Sequence, residues 1–114
     1  MKLIEGLTAE EQRAAAVFRA MGNPARVRIV RELFERGSCT TGDLVELLPL
    51  AQSTISQHLK VLKDAGIVLA GQEADGCYCL DPDVVRWLSR WTFEICCPHE
   101  ACVPAGADAG CGRC

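Results

Sequence analysis

The chain has 114 residues, of which 49% are hydrophobic and 24% charged, and its formal net charge is −3. This length suits one small domain, and because small domains gain stability by oligomerising, we expect a homodimer. The N-terminal segment MKLIEGLTAEEQ lacks the continuous apolar run of a signal peptide, and no stretch is long enough to span a membrane. These features exclude secreted and membrane classes, so we expect a cytoplasmic protein.

A negative net charge argues against a nucleic-acid partner, since cations placed against phosphates supply most non-specific affinity. The distribution of charge matters more than its sum, because eight of the fifteen acidic residues lie toward the two ends of the chain: Glu5, Glu10, Glu11, Asp81, Asp83, Glu94, Glu100 and Asp108. The central part carries seven basic residues: Arg19, Arg26, Arg28, Arg31, Arg36, Lys60 and Lys63. We therefore expect a positive face on an otherwise acidic body.

Two helices are predicted at the start of the chain. The first runs from Ala9 to Met21, with Thr8 as its cap and Glu11 at the reciprocal position of a capping box. The second runs from Pro24 to Arg36, with Asn23 as its cap and proline at the favoured first position.

A short helix and a turn follow. Thr40 and Asp43 have the spacing of a second capping box, which predicts a helix from Asp43 to Leu48 that Pro49 ends. A longer helix comes directly afterwards within the run 51–68. Two helices joined in this way predict a helix-turn-helix.

The longer helix has one apolar side and one broad polar side. Ile55, Leu59 and Leu62 recur at helical spacing and predict the buried side, and Gly66 predicts the end of the helix. The side chains predicted to face outward are Gln52, Ser53, Thr54, Ser56, Gln57, His58, Lys60 and Lys63. Amide and hydroxyl groups can read base edges and lysines can contact phosphates, so the pattern predicts a recognition helix for double-stranded DNA.

Two β-favourable runs, 67–72 and 77–80, come next and are joined through an Asp75-Gly76 step. Asp-Gly between such runs is typical of a β-hairpin. A hairpin directly after a recognition helix predicts a wing.

The last predicted helix begins after Asp81 with Pro82 at its first position. Four apolar side chains recur on it at three- and four-residue spacing: Val84, Leu88, Trp91 and Ile95. Such a stripe either folds over the core of its own chain or pairs with its copy in a second subunit.

The run QSTISQHLKVLKDAGIV, from Gln52 to Val68, resembles the signature of the ArsR/SmtB family of winged-helix metalloregulatory repressors. MGNPARVRIV, from Met21 to Val30, is similar to the family's opening of its second helix, so the resemblance covers roughly residues 10–95. It implies a mainly α fold with a small β-hairpin, in the order four helices, hairpin, fifth helix. It also implies a homodimeric repressor of operator DNA, not an enzyme, whose first and last helices form the dimer interface.

The chain has eight cysteines, and five of them lie in its C-terminal tail, residues 96–114: Cys96, Cys97, Cys102, Cys111 and Cys114. In the reducing cytosol such thiols favour a soft-metal or redox role over disulfides. We therefore predict a DNA-binding and dimerisation domain over 1–95 and a metalloid-binding tail over 96–114. For Cys39 we expect burial as a small hydrophobic residue, and for Cys77 and Cys79 packing on one face of the wing.

Adjacent thiols on a continuing helix diverge by ~100°, which separates Cys96 from Cys97. Pro98 breaks the helix there, so the pair can turn together while the next residues bring Cys102 back. Three thiolates without a fourth suit As(III) or Sb(III), which bind as a trigonal pyramid, whereas zinc requires a fourth ligand. Cys111 and Cys114 form a Cys-x-x-Cys pair that is a candidate accessory site.

Departures from the family agree with this assignment. The Cys-Val-Cys-Asp-Leu-Cys motif of the best-known arsenic sensors is replaced here by Thr40-Thr-Gly-Asp-Leu-Val45. The zinc sensors' histidine is missing from residues 83–94. The remaining pattern resembles arsenic-responsive members with a vicinal cysteine pair and a third cysteine at the C-terminal end, which implies a repressor that leaves its operator when arsenite binds.

Three alternatives remain open at the level of sequence. His99 can complete a zinc, cadmium or lead site with the tail thiols. The same thiols can also oxidise, which would make the protein a redox-sensing repressor of the same fold. A thiol oxidoreductase using Cys111 and Cys114 is disfavoured, because no strand and helix pattern frames this pair. We expect His58 to contact DNA or the core rather than a metal.

Overall fold

A computed structural model describes residues 5–71 and 76–96 of the chain. Its elements are, in chain order, α1 (Ala9–Met21), α2 (Pro24–Arg36), β1 (Cys39–Thr40), α3 (Thr41–Leu47), α4 (Gln52–Asp64), β2 (Val68–Ala70), β3 (Cys77–Leu80) and α5 (Pro82–Cys96). The predicted fold class, mainly α with a small β-hairpin in a winged helix-turn-helix, is confirmed. The chain forms two compact units that divide between Asp81 and Pro82.

The predicted caps explain where the first three helices begin. Thr8 and Glu11 form a reciprocal capping box, and the hydrogen bonds from Thr8 lower the pKa of the Glu11 carboxyl. Asn23 Oδ1 accepts hydrogen bonds from the amides of Ala25 and Arg26, at 2.9 and 3.3 Å. The amides that a helix start leaves without intrahelical acceptors are thereby satisfied.

The capping box of α3 corrects the predicted bounds of that helix. Thr40 Oγ1 accepts from the Asp43 amide at 3.0 Å, and Asp43 Oδ2 accepts from the Thr40 amide at 2.9 Å. Asp43 is therefore the third residue of the helix rather than its first. The helix runs from Thr41 to Leu47 instead of from Asp43 to Leu48.

The sheet has three strands in the order β1-β3-β2, whereas the sequence predicted only the hairpin. That hairpin is confirmed as the antiparallel pair of β2 and β3, in which Val68 lies opposite Leu80. The additional strand β1 places Cys39 opposite Tyr78 and Thr40 opposite Cys77. The predicted Asp75 turn residue lies outside the described part of the chain.

The core of the first unit surrounds α4, which packs against α1, α2, α3 and β2. Ile55, Leu59 and Leu62 are at most 1% exposed, as predicted, and Ile29 and Leu33 of α2 are equally buried. Burying each such side chain contributes about 1.5–3 kcal/mol to folding. Other fully buried side chains are Val17, Cys39, Leu44 and Val68.

Gly66 ends α4 and directs the chain into the wing. Its φ of 79° lies in the left-handed region. The Gly66 amide donates to the Lys63 carbonyl at 2.9 Å, and the Ile67 amide donates to the Leu62 carbonyl at 3.0 Å. These two bonds are the Schellman pattern, so the predicted terminator is confirmed and the wing starts at a fixed angle from α4.

In the second unit, α5 begins at Pro82 as predicted. Of its predicted apolar stripe, Val84 is buried, Leu88 and Trp91 are half-buried and Ile95 is 57% exposed. The rings of Trp87 and Trp91 stack, with centroids 6.1 Å apart. None of the helices in the described segments is both long and apolar enough to cross a lipid bilayer.

Candidate nucleic-acid interface

The helix-turn-helix consists of α3, residues 48–51 and α4. Leu48 is buried and extended at the end of α3, and its carbonyl accepts from the Leu50 amide at 2.8 Å, which tightens the turn. α4 then begins at Gln52, and its cap residue Ala51 provides no side-chain hydrogen bond. The first amides of α4 therefore remain available at the positive end of the helix dipole, an arrangement that favours phosphate.

The outer side of α4 carries the predicted contact residues. Six of them are exposed: Gln52, Ser53, Ser56, Gln57, Lys60 and Lys63. Thr54 and His58 are half-buried, so they lie at the margin of this surface rather than at its centre. Within the described residues, none of the eight side chains makes a hydrogen bond or an ion pair.

A groove of about 300 Å³ lies between the outer side of α4 and the wing. Its lining residues are Ser56, Leu59, Lys60, Lys63, Asp64 and Tyr78. Tyr78 was missed in the sequence analysis. The sequence did offer one indication of its role, because Tyr78 is the only tyrosine of the chain and lies in a strand predicted to form the wing.

The groove combines two ammonium groups and a phenol with one carboxylate, that of Asp64. Lys60 and Lys63 are exposed and have no carboxylate partner among residues 5–71 and 76–96. Tyr78 is half-buried, and a phenolic hydroxyl can donate a hydrogen bond to a phosphate oxygen. Such groups can position a nucleic-acid backbone beside the outer side of α4.

The predicted positive face is narrower than the sequence suggested, because three arginines of α2 pair with two carboxylates of the same helix. Glu32 is only 5% exposed and pairs with Arg28 and Arg36, at 3.0 and 3.1 Å. Arg31 pairs with Glu35 at 3.1 Å. On the outer side of α4 itself, the positive charge comes from Lys60 and Lys63.

The predicted metalloid site lies mostly beyond the described residues. Cys96 is exposed at the end of α5. The other predicted ligands lie outside the described ranges: Cys97, His99, Cys102, Cys111 and Cys114. Within 5–71 and 76–96, no cluster of three or more His, Cys, Asp or Glu side chains is placed to hold a metal ion.

Comparison with known proteins places this geometry among transcriptional regulators. The family described as "Bacterial regulatory protein, arsR family" matches residues 23–69. An uncharacterized HTH-type transcriptional regulator of Methanocaldococcus jannaschii is 44% identical over 85 residues, which are 74% of this chain and 96% of that protein. The arsenical resistance operon repressor of Bacillus subtilis is 34% identical over 82 residues, covering 70% of this chain and 75% of that repressor.

A solved structure agrees with these relatives. HlyU from Vibrio cholerae has a TM-score of 0.64 and 28% identity, covering 78% of this chain and 97% of that one. The matched family and both relatives are regulators and not enzymes, as predicted for this chain. The chain therefore belongs to the ArsR family of transcriptional regulators.

Proposed function

We propose that this regulator is a homodimeric repressor that binds a palindromic operator through α4 and the wing and leaves it when trivalent arsenic binds. The observation that carries the DNA-binding part is the outer side of α4, whose polar side chains have no partners within the described residues. Polar groups without partners in the protein are available for a ligand.

Specificity in this proposal comes from the first turns of α4. Ser53, Ser56 and Gln57 are exposed hydrogen-bonding groups that reach base edges in the major groove. Lys60 and Lys63 lie further along the same helix and contact phosphates, together with the first amides of α4. Since Ile55, Leu59 and Leu62 fix the opposite side in the core, the helix presents these groups rigidly.

Dimerisation is supported by apolar exposure on α5. Val85, Phe93 and Ile95 are 41, 48 and 57% exposed, and Trp91 is half-buried. Large apolar side chains grouped on one helix favour burial against a second helix. In a two-fold dimer, two copies of α4 would meet half-sites about one DNA turn apart, roughly 34 Å. The proposed operator is palindromic because it must match this two-fold symmetry.

The effector proposal concerns residues 96–114 as a metalloid-binding tail. Cys96 is exposed at the last turn of α5, where it can join Cys97 and Cys102 on one ion. Arsenous acid would exchange its three hydroxyl groups for three thiolates, while the three thiol protons leave in three water molecules. The similarity to the arsenical resistance operon repressor of Bacillus subtilis supports As(III), and Sb(III) has the same coordination chemistry.

Release of DNA would follow from coupling through α5. Binding the ion orders the end of this helix and alters its packing in the dimer, which changes the separation of the two recognition helices. A coupling free energy of about 1–3 kcal/mol per site is typical, so two sites reduce operator affinity by about 25-fold to about 20,000-fold.

Fluorescence anisotropy on the chain's own upstream promoter DNA tests the proposal. Arsenite should release the reduced wild-type protein, and Cys96→Ser, Cys97→Ser or Cys102→Ser should bind the operator but fail to respond. Cys39→Ala is the matched control and should respond as wild type does. Release by zinc or cadmium alone would assign His99 to the site, and release by peroxide alone would indicate a redox sensor; either result would contradict arsenic as the effector.

A further inference from the structure

We infer that Cys77 and Cys79 form a second thiol site, on the outer face of the wing, which binds one two-coordinate soft cation such as Cu(I). The two residues lie two apart in β3, so their side chains project from the same face of the sheet. Both residues are half-buried, so neither is enclosed in the core. The proposed site uses none of the five tail cysteines.

The spacing of the two thiols selects the kind of ligand. Same-face neighbours on a strand have Cα atoms about 6.6–6.8 Å apart, at the upper limit for a disulfide, whose Cβ atoms must come within ~4.5 Å. A cation with two opposed sulfur ligands instead holds the sulfurs about two metal–sulfur bonds apart, and the zinc–thiolate bond of ~2.3 Å indicates the scale of each. Side chains leaning toward each other from the two Cβ positions can meet that separation.

Among the described residues, the two that lie opposite Cys77 and Cys79 on the neighbouring strands supply no further thiol. Thr40 lies opposite Cys77, and its hydroxyl already accepts the Asp43 amide in the capping box of α3. Leu69 lies opposite Cys79 and is apolar and 45% exposed. Neither neighbour offers a third strong ligand, which disfavours four-coordinate zinc and favours Cu(I), a soft ion that thiolates select.

The backbone at the site is held from both sides. β1 pairs with β3 at Cys77, and β2 pairs with it at Cys79. The Gly71 amide also donates to the Cys77 carbonyl at 2.6 Å, and a Cβ on Gly71 would lie only 3.2 Å from that oxygen. The two thiols are thus fixed on a three-stranded sheet, and binding orders only their side chains.

Copper titration of a full-length variant tests this site. Serine replaces all five tail cysteines, at positions 96, 97, 102, 111 and 114, and Cu(I) is added without oxygen in the presence of a chromophoric Cu(I) chelator. We expect one equivalent of Cu(I) per chain, with two thiol protons released to the buffer. X-ray absorption at the copper edge should show two sulfur neighbours.

Further single substitutions assign the ligands. Cys77→Ser or Cys79→Ser in this variant should abolish binding, whereas Cys39→Ala, the buried control, should retain one equivalent. Retention of copper without Cys77 or without Cys79, or loss of it in the folded Cys39→Ala protein, would overturn the assignment.

A measurement on the five-serine protein itself avoids any folding defect in these variants. Bound Cu(I) should protect Cys77 and Cys79 from alkylation, as read by mass spectrometry, and unchanged alkylation would also contradict the site. Neither readout requires operator DNA, so the outcome is independent of the proposed function.

Discussion

α2 and α4 are both 13-residue helices of the first unit, and they differ in how their polar sides are used. On α2 the cap residue Asn23 binds two backbone amides, and Glu32 holds two arginines of the same helix. On α4 the cap residue Ala51 makes no side-chain hydrogen bond, and the outer polar side chains have no partners in the described residues.

The buried sides of the two helices are equally well packed. Ile29 and Leu33 of α2, like Ile55, Leu59 and Leu62 of α4, are at most 1% exposed. The contrast therefore does not reflect a looser helix. It indicates that α2 pairs three of its four arginines within the helix, the exception being Arg26, whose Nε is buried without a hydrogen-bond partner among the described residues, whereas α4 keeps its outer polar groups available for a partner.

The largest expected effect comes from the buried side of α4. Leu59→Ala should lower the free energy of unfolding by about 2–5 kcal/mol, because a cavity forms in the core. Urea denaturation followed by circular dichroism measures this loss. Val61→Ala is the matched control on the same helix, and since Val61 is 40% exposed its loss should be smaller. Equal losses for the two variants would show that Leu59 does not hold α4 in the core.

Substitutions on the outer side of α4 should weaken DNA binding and leave the stability of the protein unchanged. Gln57→Ala or Ser56→Ala should weaken operator binding by about 1–3 kcal/mol, with a much smaller effect on random DNA. Lys60→Ala should weaken both DNAs similarly, because a phosphate contact carries no sequence information. Anisotropy titrations on the two DNAs measure these changes. Equal losses for all three variants would mean that the helix does not read bases.

On α2, in contrast, a substitution should lower stability without changing the preference for operator DNA. Glu32→Gln removes the carboxylate that joins Arg28 and Arg36, and it should lower the free energy of unfolding by about 1–2 kcal/mol, since the two arginines are half exposed and can be rehydrated. The ratio of operator to random-DNA affinity should not change. Glu35→Gln, whose ion pair is exposed, is the control and should cost less than Glu32→Gln. A changed affinity ratio would place α2 in base recognition.

Tyr78 should contribute to DNA affinity without contributing to specificity. Tyr78→Phe removes only the hydroxyl from the groove beside Lys60 and Lys63, so operator and random DNA should both lose about 0.5–1.5 kcal/mol of binding free energy. Anisotropy with both DNAs checks this expectation. Unchanged affinity for both would exclude the groove from the interface.

Acid should weaken the two capping boxes slightly. Hydrogen bonds with Thr8 and Thr40 lower the pKa of the Glu11 and Asp43 carboxyls below their ordinary values. Their stabilising effect is therefore complete above the ordinary pKa values of 4.5 and 3.8, and it is lost as the pH falls through the lowered ones. The urea midpoint of Asp43→Asn should fall less between pH 6 and pH 3 than that of wild type. An identical decrease would show that this box does not titrate.

Local signals predicted most of the helices, whereas pairings between distant segments were missed. Thr8 and Asn23 mark helix starts because caps depend on neighbouring residues. β1 has only two residues and forms by pairing with a strand nearly forty positions later, so no local pattern indicated it.

In the candidate site too, features set by neighbouring residues were predicted, and features set by distant segments were not. The outer side of α4 followed from its 3.6-residue period, but the position of Tyr78 beside Lys60 required the packing of the wing on that helix. The ion pairs of α2 could have been predicted, because Glu32 lies four residues from both Arg28 and Arg36. The expected positive face counted all the central arginines as unpaired, and for this reason the ion pairs were not predicted.

The assignment of α4 as the recognition helix is tested by comparing the wild type with the double variant Ser56→Ala/Gln57→Ala. Both proteins are titrated on the promoter sequence and on a scrambled duplex of equal length. Anisotropy at fixed salt gives both affinities, and urea denaturation confirms equal stability. If α4 is the recognition helix, the wild type should prefer the promoter, and the double variant should lose most of this preference while keeping its affinity for the scrambled duplex. A double variant that keeps the full preference would contradict the assignment of α4 as the recognition helix.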